Sequence, residues 1–257
     1  MSTPAAVPAA PPATAGAAPA TITWDIKFGD KNRRFTLFDT RLGKAVCKLV
    51  FDGKCYPPVK FSGDVKTIVD IGANVGASAV FFSIHHPKAR LLAFEPTAAA
   101  HALLAANTAD LPQVKTFPFG LFDRDRQATL HFGANDSVQN TIGTTDQKTQ
   151  GSETIQLRET AAVFRELNLD TIDILKLDTE GCEVPILLSM WKWIPKTGVI
   201  YVEFHSESDR LEIDRLLTPT HYLCKGEISR LCRGELCYIA KNRLPPGHDR
   251  QMGISLG

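Results

Sequence analysis

Several features that mark other classes of protein are missing from this 257-residue chain. No run approaches the roughly 18 apolar residues of a membrane-spanning helix, so we predict no membrane span. The net charge of +1 gives no bulk attraction to nucleic acid or to an anionic membrane. The six cysteines form no C-x-x-C pair, and we expect them to be reduced thiols in a cytoplasmic protein rather than disulfides or zinc ligands.

The apolar residues, 44% of the chain, are enough for one sizeable core. Residues 1–20 contain nine alanines and five prolines, and we predict a disordered tail there. A signal peptide would have a basic start and an unbroken apolar segment, and both are missing. We therefore expect one domain over residues 21–257, with an N-terminal extension over 21–65, a core over 66–243 and a loose tail over 244–257.

The most informative stretch is V-D-I-G-A-N-V-G, residues 69–76. A β-branched run precedes it, and residues 77–85, rich in Ala, Val, Phe and Ser, follow it. This order predicts a buried strand, a tight glycine turn and the start of a helix. Gly72 and Gly76 permit such a turn and a close approach of backbone to ligand. In an open α/β sheet, ligands bind at this carboxyl end of a strand.

The acidic residues near this turn indicate which ligand to expect. The glycines are spaced G-x-x-x-G rather than G-x-G-x-x-G, and Asp70 precedes them and would repel a pyrophosphate. S-adenosylmethionine has an ammonium and a sulfonium and no phosphate, so it suits a carboxylate at this place. Glu95, at the end of the next apolar strand, can accept both ribose hydroxyls. We therefore predict S-adenosylmethionine as the cofactor, with other nucleotide-like ligands as the alternative.

Strands and helices alternate along most of the chain, which predicts a mostly parallel, doubly wound α/β sheet. The N-terminal extension is predicted to form a hairpin, as an edge or as a cover over the site, and residues 222–239 a C-terminal antiparallel hairpin. The polar stretch 133–151 is predicted to be a mobile loop and a candidate lid. The predicted strands are 21–28, 67–71, 91–95, 114–119, 128–132, 154–157, 172–177 and 199–205, and the predicted helices are 41–51, 77–85, 97–107, 159–167, 184–191 and 209–217.

A second informative stretch is I-D-I-L-K-L-D-T-E-G-C-E, residues 172–183. Strand periodicity places Lys176 and Asp178 on one face, and Glu203 and His205 share a face at the end of the strand that follows. A lysine in a buried strand needs a partner, so these residues indicate a polar network at the ligand crevice. Two alternatives stay open, namely a structural ion pair at Lys176 and a His205 that is simply satisfied by Glu203.

Four stretches of this chain resemble the FkbM-type methyltransferases. They are V-D-I-G-A-N-V-G, F-E-P over 94–96, L-K-L-D-T-E-G-C-E over 175–183 and V-E-F-H over 202–205. The resemblance spans about residues 67–217, and K-x-D-x-E-G-x-E is its most specific part. It implies a Rossmann-like class I methyltransferase core that uses S-adenosylmethionine. It also implies transfer to oxygen, commonly on a natural product or a sugar hydroxyl, but it does not extend to the acceptor's identity.

The site residues follow from these motifs and from the chemistry of methyl transfer, which needs an acceptor held in line and a base for its proton. His205 is the first candidate base by its intrinsic pKa, followed by Asp178 and Glu180, and Lys176 completes the predicted catalytic set. Although Asp178, Glu180, Glu203 and His205 could form a cation site, we predict no metal. The predicted cofactor-binding residues are Asp70, Gly72, Ala73, Asn74, Gly76, Glu95, Pro96, Gly120, Leu121 and Asp178.

Three rival functions remain at this point. Methyltransferases acting on the nitrogen of a base or an amide usually have an Asn/Asp-Pro-Pro-aromatic motif, where this chain has D-T-E-G at 178–181. A binding module without turnover is disfavoured by the intact candidate bases. A nicotinamide dehydrogenase is disfavoured by Asp70. We therefore expect an O-methyltransferase with a small-molecule acceptor as its partner and no nucleic acid, while N-methylation of an amine remains the alternative.

Overall fold

The computed structural model describes residues 20–28, 31–58, 63–133, 141–142 and 149–244. The predicted disordered tail and most of the loose C-terminal tail therefore lie outside the described residues, as do most residues of the predicted lid. The elements, in chain order, are β1 Thr21–Phe28, β2 Lys31–Phe38, α1 Arg41–Phe51, β3 Thr67–Ile71, α2 Ala77–His85, β4 Arg90–Phe94, α3 Ala98–Thr108, β5 Val114–Phe117, β6 Gly120–Phe122, β7 Arg126–Gly133, β8 Thr141–Ile142, β9 Thr149–Glu159, α4 Thr160–Glu166, β10 Ile172–Leu177, α5 Glu183–Ser189, β11 Thr197–Phe204, α6 Glu207–Leu217, β12 His221–Arg230 and β13 Arg233–Ala240.

The central sheet has seven strands in the order β12-β13-β11-β10-β3-β4-β5. Neighbours from β11 to β5 pair in parallel, and β13 is antiparallel to both β11 and β12. This confirms the predicted Rossmann-like sheet with its C-terminal hairpin. The chain order reverses next to β3, between β10 and β4, so the carboxyl end of β3 lies where open α/β sheets bind their ligands.

Helices cover both faces of this sheet, because its inner strands are apolar on both sides. All six residues of β10 are buried. Apolar side chains of α1, α2 and α3 pack on one face, and those of α4, α5 and α6 pack on the other. The three layers fix the strand ends rigidly, and the candidate site is built on those ends.

A second sheet, in the order β6-β9-β7-β8, follows β5 and was predicted only in part. The interpretation of 133–151 as a loop is wrong at both ends, because β7 runs to Gly133 and β9 begins at Thr149. The residues there are polar and show no strand-like hydrophobic alternation. β7 and β9 nevertheless pair along their length, and this pairing provides hydrogen-bond partners for their backbone groups. The predicted strand 114–119 likewise stops at Phe117, and β6 begins at Gly120 in the other sheet.

The predicted N-terminal hairpin, β1 with β2, is confirmed and packs against α3. The Asn107 side chain at the end of α3 accepts a hydrogen bond from the Thr36 N–H (2.9 Å) and donates to the Thr36 carbonyl (2.7 Å). It also donates to the carbonyl of Val75, within the glycine turn (2.8 Å). One buried amide therefore joins the hairpin to the loop that is predicted to hold the cofactor.

Among the described residues, no helix has the length and apolar character needed to span a membrane. All six cysteines are free, and the nearest pair is Cys224 and Cys237, with sulfur atoms 3.4 Å apart. The cytoplasmic location stays a prediction.

Candidate active site

The glycine loop, residues 72–76, leaves β3 and leads directly into α2. Gly72 has a φ of +78°, and a Cβ at this position would lie 1.8 Å from the carbonyl oxygen of Asp178. The turn after β3 and the segment after β10 therefore touch backbone to backbone, which only glycine permits. This contact brings the two motifs singled out in the sequence into one site.

Asp70 lies beneath this loop and does not face the crevice. Its side chain has no exposed surface, and its carboxylate accepts a hydrogen bond from the Ser78 hydroxyl at 2.6 Å. Its register partner on β10 is Lys176, whose Nζ lies 3.4 Å from the Asp70 carboxylate. The Asp70 carboxylate is therefore turned toward Ser78 and Lys176, and its predicted direct contact with the cofactor is not supported by this burial.

Lys176 contacts the glycine loop and the segment after β10. Its Nζ donates to the Gly72 carbonyl at 2.5 Å and lies 3.5 Å from the carboxylate of Asp178. Although burial opposes the charge, Asp178 and Asp70 raise the pKa of Lys176 above its ordinary value. Lys176 is therefore a permanent ammonium that positions two loops, and its predicted catalytic role is not supported by this geometry.

Glu95 follows β4 and closes the glycine loop from the other side. Its carboxylate accepts hydrogen bonds from the Asn74 N–H (2.9 Å), the Thr97 N–H (2.9 Å) and the Thr97 hydroxyl (2.6 Å). Burial raises the pKa of Glu95, and these hydrogen bonds oppose the rise. Since a carboxylate offers about four lone-pair positions, acceptor capacity remains for a ribose hydroxyl.

Of the residues predicted near the adenine, Gly120 and Pro96 lie side by side, whereas the side chain of Leu121 points away from them into the core. A Cβ on Gly120 would lie 3.4 Å from the ring of Pro96, so these two residues stand side by side at the strand ends. Leu121, in contrast, is 2% exposed and packs within the hydrophobic core. Its side chain therefore cannot line the site, although its backbone belongs to the same turn.

Asp178 and Glu203 form a carboxyl pair at the ends of β10 and β11. The Asp178 side chain is 41% exposed, and that of Glu203 is 26% exposed. Burial opposes ionisation of Asp178, but the Lys176 ammonium and a hydrogen bond from Glu203 hold the pKa of Asp178 below its ordinary value. Burial and the Asp178 charge raise the pKa of Glu203 to about 10. Burial and the charge of Asp178 therefore favour protonation of Glu203 over protonation of Asp178.

His205 lies beside this pair among three glutamates. Its Nε2 is 3.0 Å from a carboxylate oxygen of Glu180 and 3.4 Å from one of Glu203, and its Nδ1 is 3.7 Å from Glu183. Burial alone would lower the pKa of His205, but Glu180, Glu183 and Glu203 together raise it to about 10. The neighbouring glutamates therefore favour the protonated form of His205, which disfavours it as a base.

Glu183, the last residue of the K-x-D-x-E-G-x-E motif, is a structural residue of the site that was not among the predicted site residues. It is 1% exposed, and its carboxylate accepts hydrogen bonds from the N–H groups of Thr179 (2.7 Å) and Gly181 (3.0 Å). Glu180, between them, has a φ of +57°, which is rare for a residue with a side chain. Glu183 therefore holds a strained turn that directs Glu180 toward His205. A glutamate at the start of a helix is also favoured by the helix dipole, so its position alone does not indicate this role.

A narrow cleft opens beside the carboxyl pair. Tyr56 and Tyr201 form its aromatic wall, with ring centroids 5.4 Å apart, and the Tyr201 hydroxyl donates to the Pro57 carbonyl at 2.7 Å. The N-terminal extension therefore covers the site with residues 55–57, and its hairpin packs elsewhere. The acidic side of the cleft is formed by Asp178, Glu203, Glu227 and Glu235.

Comparison with known proteins identifies the family to which this fold and these motifs belong. The profile of the methyltransferase FkbM domain matches residues 70–223, which is more than half of the chain. The chain belongs to the FkbM methyltransferase family. It therefore contains a methyltransferase domain of this family, with S-adenosylmethionine as its cofactor. The glycine loop and Glu95 fit that cofactor, because they combine close backbone approach with a carboxylate that retains acceptor capacity.

Three relatives of this FkbM-family chain differ in how much of their own length it covers. It is 27% identical to the AMB antimetabolite synthetase AmbE of Pseudomonas aeruginosa, over 55% of this chain and 8% of that protein. It is 27% identical to the 2-O-methyltransferase NoeI of Sinorhizobium fredii, over 54% of this chain and 63% of NoeI. It is also 27% identical to the hexuronic acid methyltransferase AglP of Haloferax volcanii, over 68% of this chain and 70% of AglP.

Proposed function

We propose that this protein transfers the methyl group of S-adenosylmethionine to a hydroxyl of a small molecule, with sugars and natural products as the acceptor classes. The observation that carries the proposal is Asp178, an ionised and 41% exposed carboxylate at the point where the glycine loop meets the cleft. The names of NoeI, a 2-O-methyltransferase, and AglP, a hexuronic acid methyltransferase, support oxygen and sugar as targets.

The cofactor would lie along the glycine loop. Gly72, Ala73, Asn74 and Gly76 provide the closely approaching backbone, and Glu95 provides the acceptor for the ribose hydroxyls. Pro96 and Gly120 would border the adenine. The charge of Asp70 is neutralised by Lys176, so Asp178 is the carboxylate that would face the positively charged end of the cofactor.

S-adenosylmethionine supplies the methyl group, and the acceptor oxygen displaces its sulfur in line. The protein's part is to hold the acceptor in that line and to receive its proton as the carbon–oxygen bond forms. Asp178 is the first candidate to receive it, because the surroundings of His205 and Glu203 favour their protonated forms and those of Asp178 favour its ionised form. Lys176 and Asp70 act as positioning residues for the loop.

N-methylation of an amine is the second candidate function. The acidic side of the cleft favours it, because the carboxyl groups that are ionised there would attract a protonated amine. Burial raises the pKa of one of them, Glu235, to about 7, which weakens this attraction near neutral pH.

Calorimetric titration with S-adenosylhomocysteine tests the cofactor site. We expect Glu95→Ala to weaken binding at least tenfold, because the ribose hydroxyls lose their acceptor. Glu212→Gln, which changes a half-buried glutamate paired with Arg215 on α6, is the control and should bind as the wild type does. Equal binding by all three proteins would contradict the placement of the ribose.

Turnover assays with sugars, uronic acids and amines test the acceptor class. We expect methylation of hydroxyl-bearing acceptors, and a fall in kcat of at least a hundredfold in Asp178→Asn. Methylation of amines alone would favour the second candidate function. Cofactor binding without turnover on any member of the panel would contradict both.

A further inference from the structure

The His205 side chain is 9% exposed and points into the cluster formed with Glu180 and Glu203. Its Nε2 is 3.0 Å from Glu180, yet neither ring nitrogen makes a well-directed hydrogen bond to any residue that the structure describes. A buried polar group without a directed partner is unfavourable and calls for an explanation. The atoms are close enough for hydrogen bonds, but the ring is not aimed at either carboxylate.

This combination of short distance and wrong direction is typical of ligands that converge on a common point. Ligand atoms about 2.1 Å from one ion are about 3.0 Å apart at a right angle and about 3.4 Å apart at the tetrahedral angle. Nε2 of His205 lies 3.0 Å from Glu180 and 3.4 Å from Glu203. One ligand atom from each of the three residues falls within 4.8 Å of the others.

We propose that Glu180, Glu203 and His205 form a binding site for a first-row divalent metal ion. Carboxylates suit Mn²⁺ and imidazole suits Zn²⁺, so the mixed ligand set favours these two ions over Ca²⁺. The other ring nitrogen, Nδ1, faces the Glu183 carboxylate at 3.7 Å, as in metal sites where a carboxylate orients the histidine. The proposal also explains the strained turn at Glu180, because the left-handed backbone directs the Glu180 carboxylate toward the other two ligands.

The role of the ion rests on the proposed function. A hydroxyl bound to a divalent ion loses its proton more easily, so an ion next to Asp178 would activate the acceptor oxygen. The three ligands lie at the ends of β10 and β11, on the same edge of the sheet as the glycine loop. Three protein ligands leave further positions on the ion for the acceptor or for water.

The test measures metal binding to the full chain, without cofactor or acceptor. Protein treated with EDTA and exchanged into metal-free buffer is titrated with Mn²⁺ alone, followed by the loss of the free-ion signal in electron paramagnetic resonance. A parallel titration with Zn²⁺ uses calorimetry. We expect one ion per chain in the wild type, and at least tenfold weaker binding in Glu180→Gln and in His205→Gln.

Glu212→Gln is the control, because it makes the same chemical change in the ion pair with Arg215 on α6 and should bind as the wild type does. Circular dichroism and binding of S-adenosylhomocysteine show that each variant is folded. If the folded wild type binds neither ion, or if all variants bind equally, the proposal is overturned. Because cofactor binding and acceptor turnover are measured separately, that result leaves the proposed methyl transfer standing, and loss of turnover alone leaves the metal site standing.

Discussion

Replacing Lys176 by methionine removes the positive charge beneath the glycine loop. Nζ lies 3.4 Å from Asp70, whose side chain has no exposed surface. At an effective dielectric constant of about 20, this attraction is worth about 5 kcal/mol. The attraction to Asp178 contributes less, because that carboxylate is 41% exposed and screened by water. Methionine has a similar shape, so the variant loses charge and the hydrogen bond to Gly72 with little loss of packing.

The loss of stability has an upper bound, because Asp70 can take up a proton in the variant. Neutralising a carboxyl with an ordinary pKa near 3.9 requires about 4 kcal/mol at pH 7 and about 1.5 kcal/mol at pH 5. Burial already raises the pKa of Asp70, and loss of the ammonium raises it further. A folded-state pKa above the unfolded value favours the folded state at low pH, so the loss must shrink as the pH falls. We expect a decrease in unfolding free energy of about 3–4 kcal/mol at pH 7 and about 1.5 kcal/mol at pH 5.

Urea denaturation at both pH values, followed by tryptophan fluorescence, measures this difference. The double variant Asp70→Asn/Lys176→Met removes both charges and should recover at least about 2 kcal/mol at pH 7. A loss below about 1 kcal/mol at pH 7 would refute the reasoning, because it would mean that the buried carboxylate needs no cation. An equal loss at both pH values would refute the assignment of the effect to Asp70.

Three further changes test other contacts of the site. Gly72→Ala places a Cβ 1.8 Å from the Asp178 carbonyl oxygen, and we expect at least tenfold weaker binding of S-adenosylhomocysteine by calorimetry. Asn107→Ala removes the amide that joins the hairpin to Val75, and urea denaturation should show a loss of about 2–4 kcal/mol. Burial lowers the pKa of His221, so the folded state disfavours its proton, and stability should fall as the pH drops below about 6.5. His221→Gln should flatten the dependence of the unfolding free energy on pH between about pH 7.5 and 5.5. An unchanged dependence would mean that other groups cause it.

The sequence predicted the central sheet well, because each inner strand is a short apolar run that ends in polar residues. The run at residues 172–177 became β10 with the same bounds, and that at 67–71 became β3. The second sheet was predicted only in part. Its strands are largely polar, and their stability comes from pairing between β7 and β9, which no local pattern reports.

The residue types at the site were predictable, but their directions were not. Asp70 was expected to face a ligand, and instead it faces Lys176, because the two occupy register-paired positions on neighbouring strands. That pairing depends on the strand order, which comes from the whole chain. Glu183 was missed for a similar reason, since its burial depends on the left-handed turn that it stabilises.

The match to the FkbM family ends at residue 223, within β12, although the strand between β12 and β11 comes later in the chain. At the other end, the match begins at Asp70, while Asn107 ties the glycine loop to a hairpin some 40 residues upstream. The family profile therefore matches fewer residues than those that support the site. An excised 70–223 fragment would expose one edge of β11 and lose the support of its cofactor loop. Experiments on the shared motifs accordingly need the flanking segments, even though those segments have no counterpart in the family profile.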